Sequence, residues 1–387
     1  MGPLPPSSAS GVSSQPGAKR HLFSCPVRSP LAWAACLIVA GAVISLAAQS
    51  ESTLERLLAD QVDFSDDDLR ALDDGAVVIT SLDTRVRQEL AHIGVVYLDV
   101  SPAEFVDRFR DIEAFESGPG IPQIGRFGSP PRIEDLQGLT LPEVDLESLP
   151  YCRPGDCELK LSTDRMQRFR NEVDWTAPTA SEQASQMARE MILELVLAYQ
   201  AEGNGALGAY ADSDKPMPVA EQFRGLLTNR DPLPNSVPAL LTYLEHYPLG
   251  LPPGADEFFY WTVVDFGLKQ TIRVNHVTVY PLANGTLPGE AYAIAIKQLY
   301  ASHYFHTTLE LRFVTGHPLQ SGRDGSVLVS ITRSRNDGMT GFKGFFLRPI
   351  IRGRSRDAVR GYLEHVRRQV ERPAPKNTWS ASPPPVP

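Results

Sequence analysis

The most obvious chemistry in the chain lies in two histidines of Ser302-His-Tyr-Phe-His306. On a helix, His-x-x-His places both imidazoles on one face and suits a transition metal. The flanking residues alternate apolar and polar, which predicts a strand over 303–314, and in a strand residues three apart point to opposite faces. His303 then joins Phe305, Leu309, Leu311 and Phe313 on an apolar face, while His306 joins Glu310 and Arg312 on the other. A histidine on an apolar face is more often a hydrogen-bonded core residue than a ligand, so no metal site is expected. His276 stands in the same way on an earlier run, where alternation puts Ile272, Val274, Thr278 and Tyr280 on its face. Arg333-Ser-Arg-Asn-Asp-Gly338 closes a later run. Its ordinary reading is a turn, and its alternative is a polar rim that orients a ligand head group. His303, His276, Tyr280 and Arg333 are thus the candidate ligand-binding residues.

Common catalytic signatures are missing. Gly203-Asn-Gly-Ala-Leu-Gly208 matches a dinucleotide loop formally. Such a loop must follow a strand, and this one follows a long helical pattern, so it reads as a helix end and linker. Gly-x-Ser-x-Gly, His-Glu-x-x-His and the phosphate-loop pattern are absent, which removes the commonest hydrolase, zinc-protease and nucleotide readings and leaves no cofactor implied. Asp66, Asp67 and Asp68 lack the Gly and Glu of a calcium loop and read as a helix start. Beyond Cys25 and Cys36, only Cys152 and Cys157 remain, flanking Pro154-Gly155. That turn brings the two thiols face to face. Redox pairs usually enclose two residues and a zinc site needs a second pair, so a structural disulfide in an oxidising compartment is expected.

The elements that must position these residues follow from composition and pattern. The chain has 387 residues, is 42% hydrophobic and carries a net charge of −9, which argues for a globular protein and against a general nucleic-acid binder. Residues 1–29 are rich in Ser, Gly and Pro and end in Lys19, Arg20 and Arg28, a disordered basic leader. The uncharged run from Leu31 to Ala48 spans about 27 Å as a helix, enough to cross a bilayer. Basic residues precede it and Glu51, Glu55 and Asp60 follow, so the expectation is an inner-membrane helix over 30–48 with the rest in the periplasm. Cleavage near Ser45-Leu46-Ala47, giving a secreted protein, is the alternative.

Residues 51–372 form the expected exported α+β domain, and 373–387 a Pro-rich disordered tail. Ser65 and Ser101-Pro-Ala-Glu104 read as helix caps, and 87–100 as an extended run between them. Residues 117–135 read as a long Gly/Pro loop, and Glu158–Leu161 as a short half-buried strand with Lys160 outward. A helical segment fills 163–247, with helices over 180–201, 219–227 and 237–246, the first of them capped by Thr179. From 257 five extended runs follow, with Asn284-Gly285 as hairpin chemistry, and a helix over 355–371 closes the domain. The outer face of that helix is Arg-rich, usually a solvated face, with anionic lipid contact as the alternative.

Val95-Val-Tyr-Leu-Asp-Val-Ser-Pro-Ala-Glu-Phe-Val-Asp-Arg-Phe-Arg-Asp111 resembles the first strand-to-helix passage of the START-like superfamily, and the closing antiparallel strands with one C-terminal helix resemble its second half. The resemblance implies a helix-grip fold: an antiparallel sheet curled around the last helix, here with the segment 163–247 as an unusually large helical insertion. It further implies a cavity for an apolar or amphipathic, lipid-like molecule. The expected function is therefore non-catalytic binding of such a molecule at the membrane. The alternatives are an enzyme using His303 or His276 as acid or base, and a structural cell-envelope protein whose insertion binds a partner.

Overall fold

In the computed structural model Ser65 accepts the Asp68 amide and Asp68 returns the bond, starting α1 (Asp66–Asp73), and Gly75 ends it at a φ of +83°. The structure describes residues 64–371 except 228–236, 266, 283–286, 288, 319–323 and 338–340. The expected leader, membrane helix, Asn284-Gly285 turn and Pro-rich tail lie outside these residues. Among the described residues no helix is long and apolar enough to cross a membrane.

The fold is α+β. β1 (Val78–Ser81) and β2 (Glu89–Leu98) lead to α2 (Pro102–Arg110), which Ser101 caps by accepting the Glu104 amide at 3.2 Å, and then to α3 (Ile112–Glu116). β3 (Gln123–Arg126) lies inside the stretch expected to be loop. It pairs with β6 (Asp256–Val264), and Gly125 is required there because a Cβ would come 2.7 Å from the Trp261 ring. β6, β7 (Thr271–Pro281), β8 (Ala291–Ala301), β9 (Phe305–Pro318) and β10 (Asp324–Asn336) form a continuous antiparallel meander. β10 returns to pair with β2, giving eight strands in the order β1-β2-β10-β9-β8-β7-β6-β3.

Helices cover both faces. Between β3 and β6 come α4 (Glu143–Ser148), α5 (Thr163–Glu172), α6 (Ala180–Glu202), α7 (Val219–Leu227) and α8 (Pro238–His246), with a small ribbon of β4 (Ala209–Tyr210) and β5 (Met217–Pro218). Their apolar sides share a core with Phe259, Trp261, Val274, Leu311, Phe313 and Val329 of one sheet face. The opposite face carries Phe258, Val277, Ile296, Val314 and Leu328, packed against Phe105 and Phe109 of α2 and Leu363, Val366 and Val370 of α9 (Gly341–Glu371). α9 crosses β2 at Gly94, where a Cβ would stand 2.4 Å from the Leu363 side chain. It begins 14 residues earlier than the pattern suggested, because its first half contains three glycines and Pro349, which weaken a helical signal.

Four local expectations differ from the structure. Residues 158–161 are irregular rather than a strand, and Lys160 is buried with Leu159 and Leu161. Its ammonium group pairs with Asp337 and, at 3.5 Å, with Asp212. Thr179 does not cap α6 with its side chain, since its hydroxyl accepts from Gln183 instead. β9 starts at Phe305, after Tyr304 at a φ of +61°, so His303 sits in the preceding turn rather than in the strand.

Candidate functional site

Alternation on β7 places Ile272, Val274 and His276 on one face, as expected, with Tyr280 half-buried beside them. That face is turned to the helical insertion, not to the C-terminal helix. The reason is the length of α6, which lies across it and brings Tyr199 onto His276. His276 Nε2 lies 2.9 Å from Glu257 Oε2, and Nδ1 lies 3.2 Å from the Tyr199 hydroxyl. The same hydroxyl accepts from Lys297 Nζ at 3.0 Å, and Lys297 also donates to Asn204 Oδ1. Tyr243 donates to Glu257, and the rings of Phe259 and Tyr247 enclose the imidazole, each 4.7 Å from it between centroids.

The electrostatics follow from this packing. Burial pushes the Lys297 ammonium well below its usual range, and among the described residues no carboxylate pairs with it. Burial also lowers His276, although the Glu257 hydrogen bond opposes it. For Glu257 burial alone would raise the carboxyl, but bonds from His276, Tyr243 and Tyr247 outweigh it and hold it below the usual value. A neutral His276 that accepts from Tyr199 and donates to Glu257 satisfies every atom. The chain of donors therefore runs one way, from Lys297 through Tyr199 and His276 to Glu257.

The other candidates are spread across the same side. His276, Lys297, Leu309 and Arg333 are successive cross-strand partners, so Arg333 lies three strands from His276, about 14 Å away. Arg333 and Arg335 hold the buried Glu89. Arg333 also edges an apolar pocket lined by Leu226, Leu227, Leu241, Leu309, Leu311 and Ile331, with room for about one water. His303 is held apart from all of these: Nε2 lies 2.8 Å from Asp145 Oδ1 and Nδ1 3.0 Å from the Glu158 carbonyl. His306 pairs with Asp337, itself bonded to Lys160. Phe305 does not share the face of Leu309, because a register shift at Arg335/Asn336 turns it under the Arg273 guanidinium, 5.9 Å from its centroid. The structure therefore joins His276 to Glu257 and Tyr199, and leaves Tyr280, Arg333 and His303 outside that network. Among the described residues no group of three or more His, Cys, Asp or Glu is arranged to hold a metal ion. Cys152 and Cys157 are joined by a disulfide.

Sequence reasoning missed a second set on the opposite face. Next to His276, Asn275 points the other way, toward the α9 side with Arg273 and Val277. Asn275 faces Gln298, which accepts from Arg273 at 3.1 Å and Thr308 at 3.4 Å. Beyond them run Glu310, Thr332 and His92 in one register row, and Arg312 and Ser330 in the next, ending at Gly94 under α9. Arg312 bonds Glu310 at 2.8 Å and the hydroxyl of Tyr362 on α9, which in turn donates to the buried Glu116. Burial, opposed by Arg312, raises the Glu116 carboxyl, whereas for Glu310 the Arg312 charge outweighs burial and lowers it. Within this belt five buried atoms have no hydrogen-bond partner among the described residues: both amide atoms of Asn275, Gln298 Nε2, Arg312 Nη1 and His92 Nε2. Each such atom costs about 1–3 kcal/mol, and native folds hold few of them.

The face is consequently divided. The polar belt crosses it diagonally from Asn275 on β7 to His92 on β2, and Phe258, Val277, Val279, Ile294, Val314 and Leu328 lie to one side, Ile294 directly opposite Arg312. The signal for it was present as polar residues at every second position of predicted strands, but only cross-strand register gathers them. No family model matches this chain, and no curated protein matches it in sequence.

Proposed function

We propose that the protein binds an amphipathic small molecule between the sheet and α9, with the ligand's polar part on the belt around Asn275, Gln298 and Arg312 and its apolar part on Val277, Ile294 and Val314. The observation that carries this reading is a band of five unpartnered polar atoms that crosses one sheet face from β7 to β2 beside an apolar patch. A face built only for packing would be apolar throughout, because an unpartnered buried amide destabilises the fold and an apolar residue of that shape does not. The order of elements supports a helix-grip relationship. One strand leads into two helices, a meander follows whose last strand pairs with the first, and a helix closes over it. In that reading the insertion is the departure from the family, and it covers the face opposite the last helix. A membrane helix over 30–48, with the domain in the periplasm, would place the protein beside a supply of such ligands.

The enzymatic alternative loses support from the geometry of the two histidines. Both ring nitrogens of His303 and of His276 are engaged by protein groups, so neither offers a free nitrogen to a substrate.

The test is extraction and native mass spectrometry of the full chain, compared with Asn275→Leu and Gln298→Leu. Co-purified lipid-like material that both substitutions reduce supports the reading. Variants that melt higher and differ in no bound material would show the belt to be unused, and the reading would fall.

A further inference from the structure

We propose that residues 348–360 of α9 and the β1–β2 turn form a docking surface for an anionic phospholipid bilayer. The chain as a whole carries a net charge of −9, yet residues 348–360 hold Arg348, Arg352, Arg354, Arg356 and Arg360 against Asp357 alone. The turn beside them, residues 82–88, adds Arg85 and Arg87 against Asp83. Contacts along α9 bring the two segments together: Arg348 donates to Thr84, and Arg352 to the carbonyls of Ser81 and Leu82 at 3.4 Å. Seven guanidinium groups therefore share one region with two carboxylates.

Those two carboxylates offset at most two of the seven charges. Asp83 and Asp357 approach Arg352 and Arg356 only to 3.9 Å, and Asp83 is fully exposed. Arg85, Arg87 and Arg354 are exposed and make no ion pair among the described residues. The field is felt in the interior. Burial together with the charges of Arg352 and Arg356 drives the His92 imidazole down to about 4. Ile350, 56% exposed, stands one helical turn before Arg354 on the outer side of α9. Ile350 shares its face of α9 with Arg354, whereas Arg348, Arg352 and Arg360 follow on the side that bonds β1 and its turn, so the outer face pairs one guanidinium for phosphates with one isoleucine for acyl chains. An acidic protein partner would meet the charges equally, but nothing in the patch supplies the larger apolar centre that a stable protein interface needs. The surface lies beside the polar belt, since Arg352 neighbours His92 and Ser81. The inference nevertheless stands on the charges alone, and a failure of ligand binding leaves it intact.

The test uses the full chain with vesicles of phosphatidylcholine, with and without phosphatidylglycerol, read by hydrogen exchange of peptides covering 82–88 and 348–360. Exchange in both segments should slow only when phosphatidylglycerol is present, and high salt should reverse the effect. Each arginine removed should weaken the docking about fivefold. The triple variant Arg85→Glu, Arg87→Glu, Arg354→Glu touches no described ion pair, so its melting temperature should match wild type while its exchange becomes equal in both vesicles. Equal exchange of the wild type in both vesicles would overturn the proposal. So would protection by the soluble polyanion heparin with none from phosphatidylglycerol.

Discussion

His276 and Lys297, cross-strand partners on β7 and β8, meet on a single atom: the Tyr199 hydroxyl oxygen lies 3.2 Å from Nδ1 of the one and 3.0 Å from Nζ of the other. One residue of the insertion thus satisfies two buried basic groups of the sheet. Neither base has a second route to solvent, because Phe223 covers Lys297 at 3.9 Å and Phe259, Tyr243 and Tyr247 surround His276.

Stability should depend on this lysine on the alkaline side. Its folded value lies well below the unfolded one, so between the two the unfolded chain binds the extra proton, and stability rises with pH across that window. The slope is about 1.4 kcal/mol per pH unit within the window. Lys297→Met should be more stable than wild type at neutral pH, with the difference shrinking toward pH 9.5. Urea midpoints of both proteins between pH 7 and 9.5, below the range where tyrosines titrate, check this. Parallel profiles would show that Lys297 stays charged in the fold.

His303→Leu should destabilise the protein rather than merely alter a ligand site. The substitution leaves Asp145, fully buried, without its imidazole partner, and its Oδ2 already has none. Stranding a buried charge costs about 3–5 kcal/mol. The double variant Asp145→Leu, His303→Leu removes both groups and should recover much of that loss in a urea titration. A single variant as stable as wild type would refute the coupling.

Gly203→Ala and Gly205→Ala should behave oppositely, although both alter the same Gly-x-Gly stretch. Gly203 ends α6 at a φ of +65°, and a Cβ there would stand 1.8 Å from the Tyr247 carbonyl oxygen. Left-handed strain and overpacking together cost about 2–5 kcal/mol. Gly205 has nothing within 4 Å, so its change should stay within about 0.5 kcal/mol. Thermal melts of the pair separate the two outcomes.

Replacing Cys152 and Cys157 by serine should lower stability by about 2 kcal/mol on the chain-entropy estimate for so short a loop. A urea midpoint unchanged by reductant in the wild type would show the bond to be energetically idle.

Several features were legible in the chain itself because they depend on neighbours in sequence. Ser65 and Ser101 cap helices with bonds that reach only three residues. The five closing strands carry their own two-residue period, and Pro154-Gly155 turns Cys152 onto Cys157. Other features required the tertiary structure. β3 is an edge strand of four residues whose place depends on Trp261, far along the chain. Lys160 looked solvent-facing by alternation, but Asp337 and Asp212 draw it inward. Alternation separated His276 from Asn275 without saying what covers each. α6 settled that by lying over the histidine's face, which left Asn275, Gln298 and Arg312 to α9. A period of two distinguishes the faces of a strand, whereas the identity of the layer packed on each face is decided by elements distant in sequence.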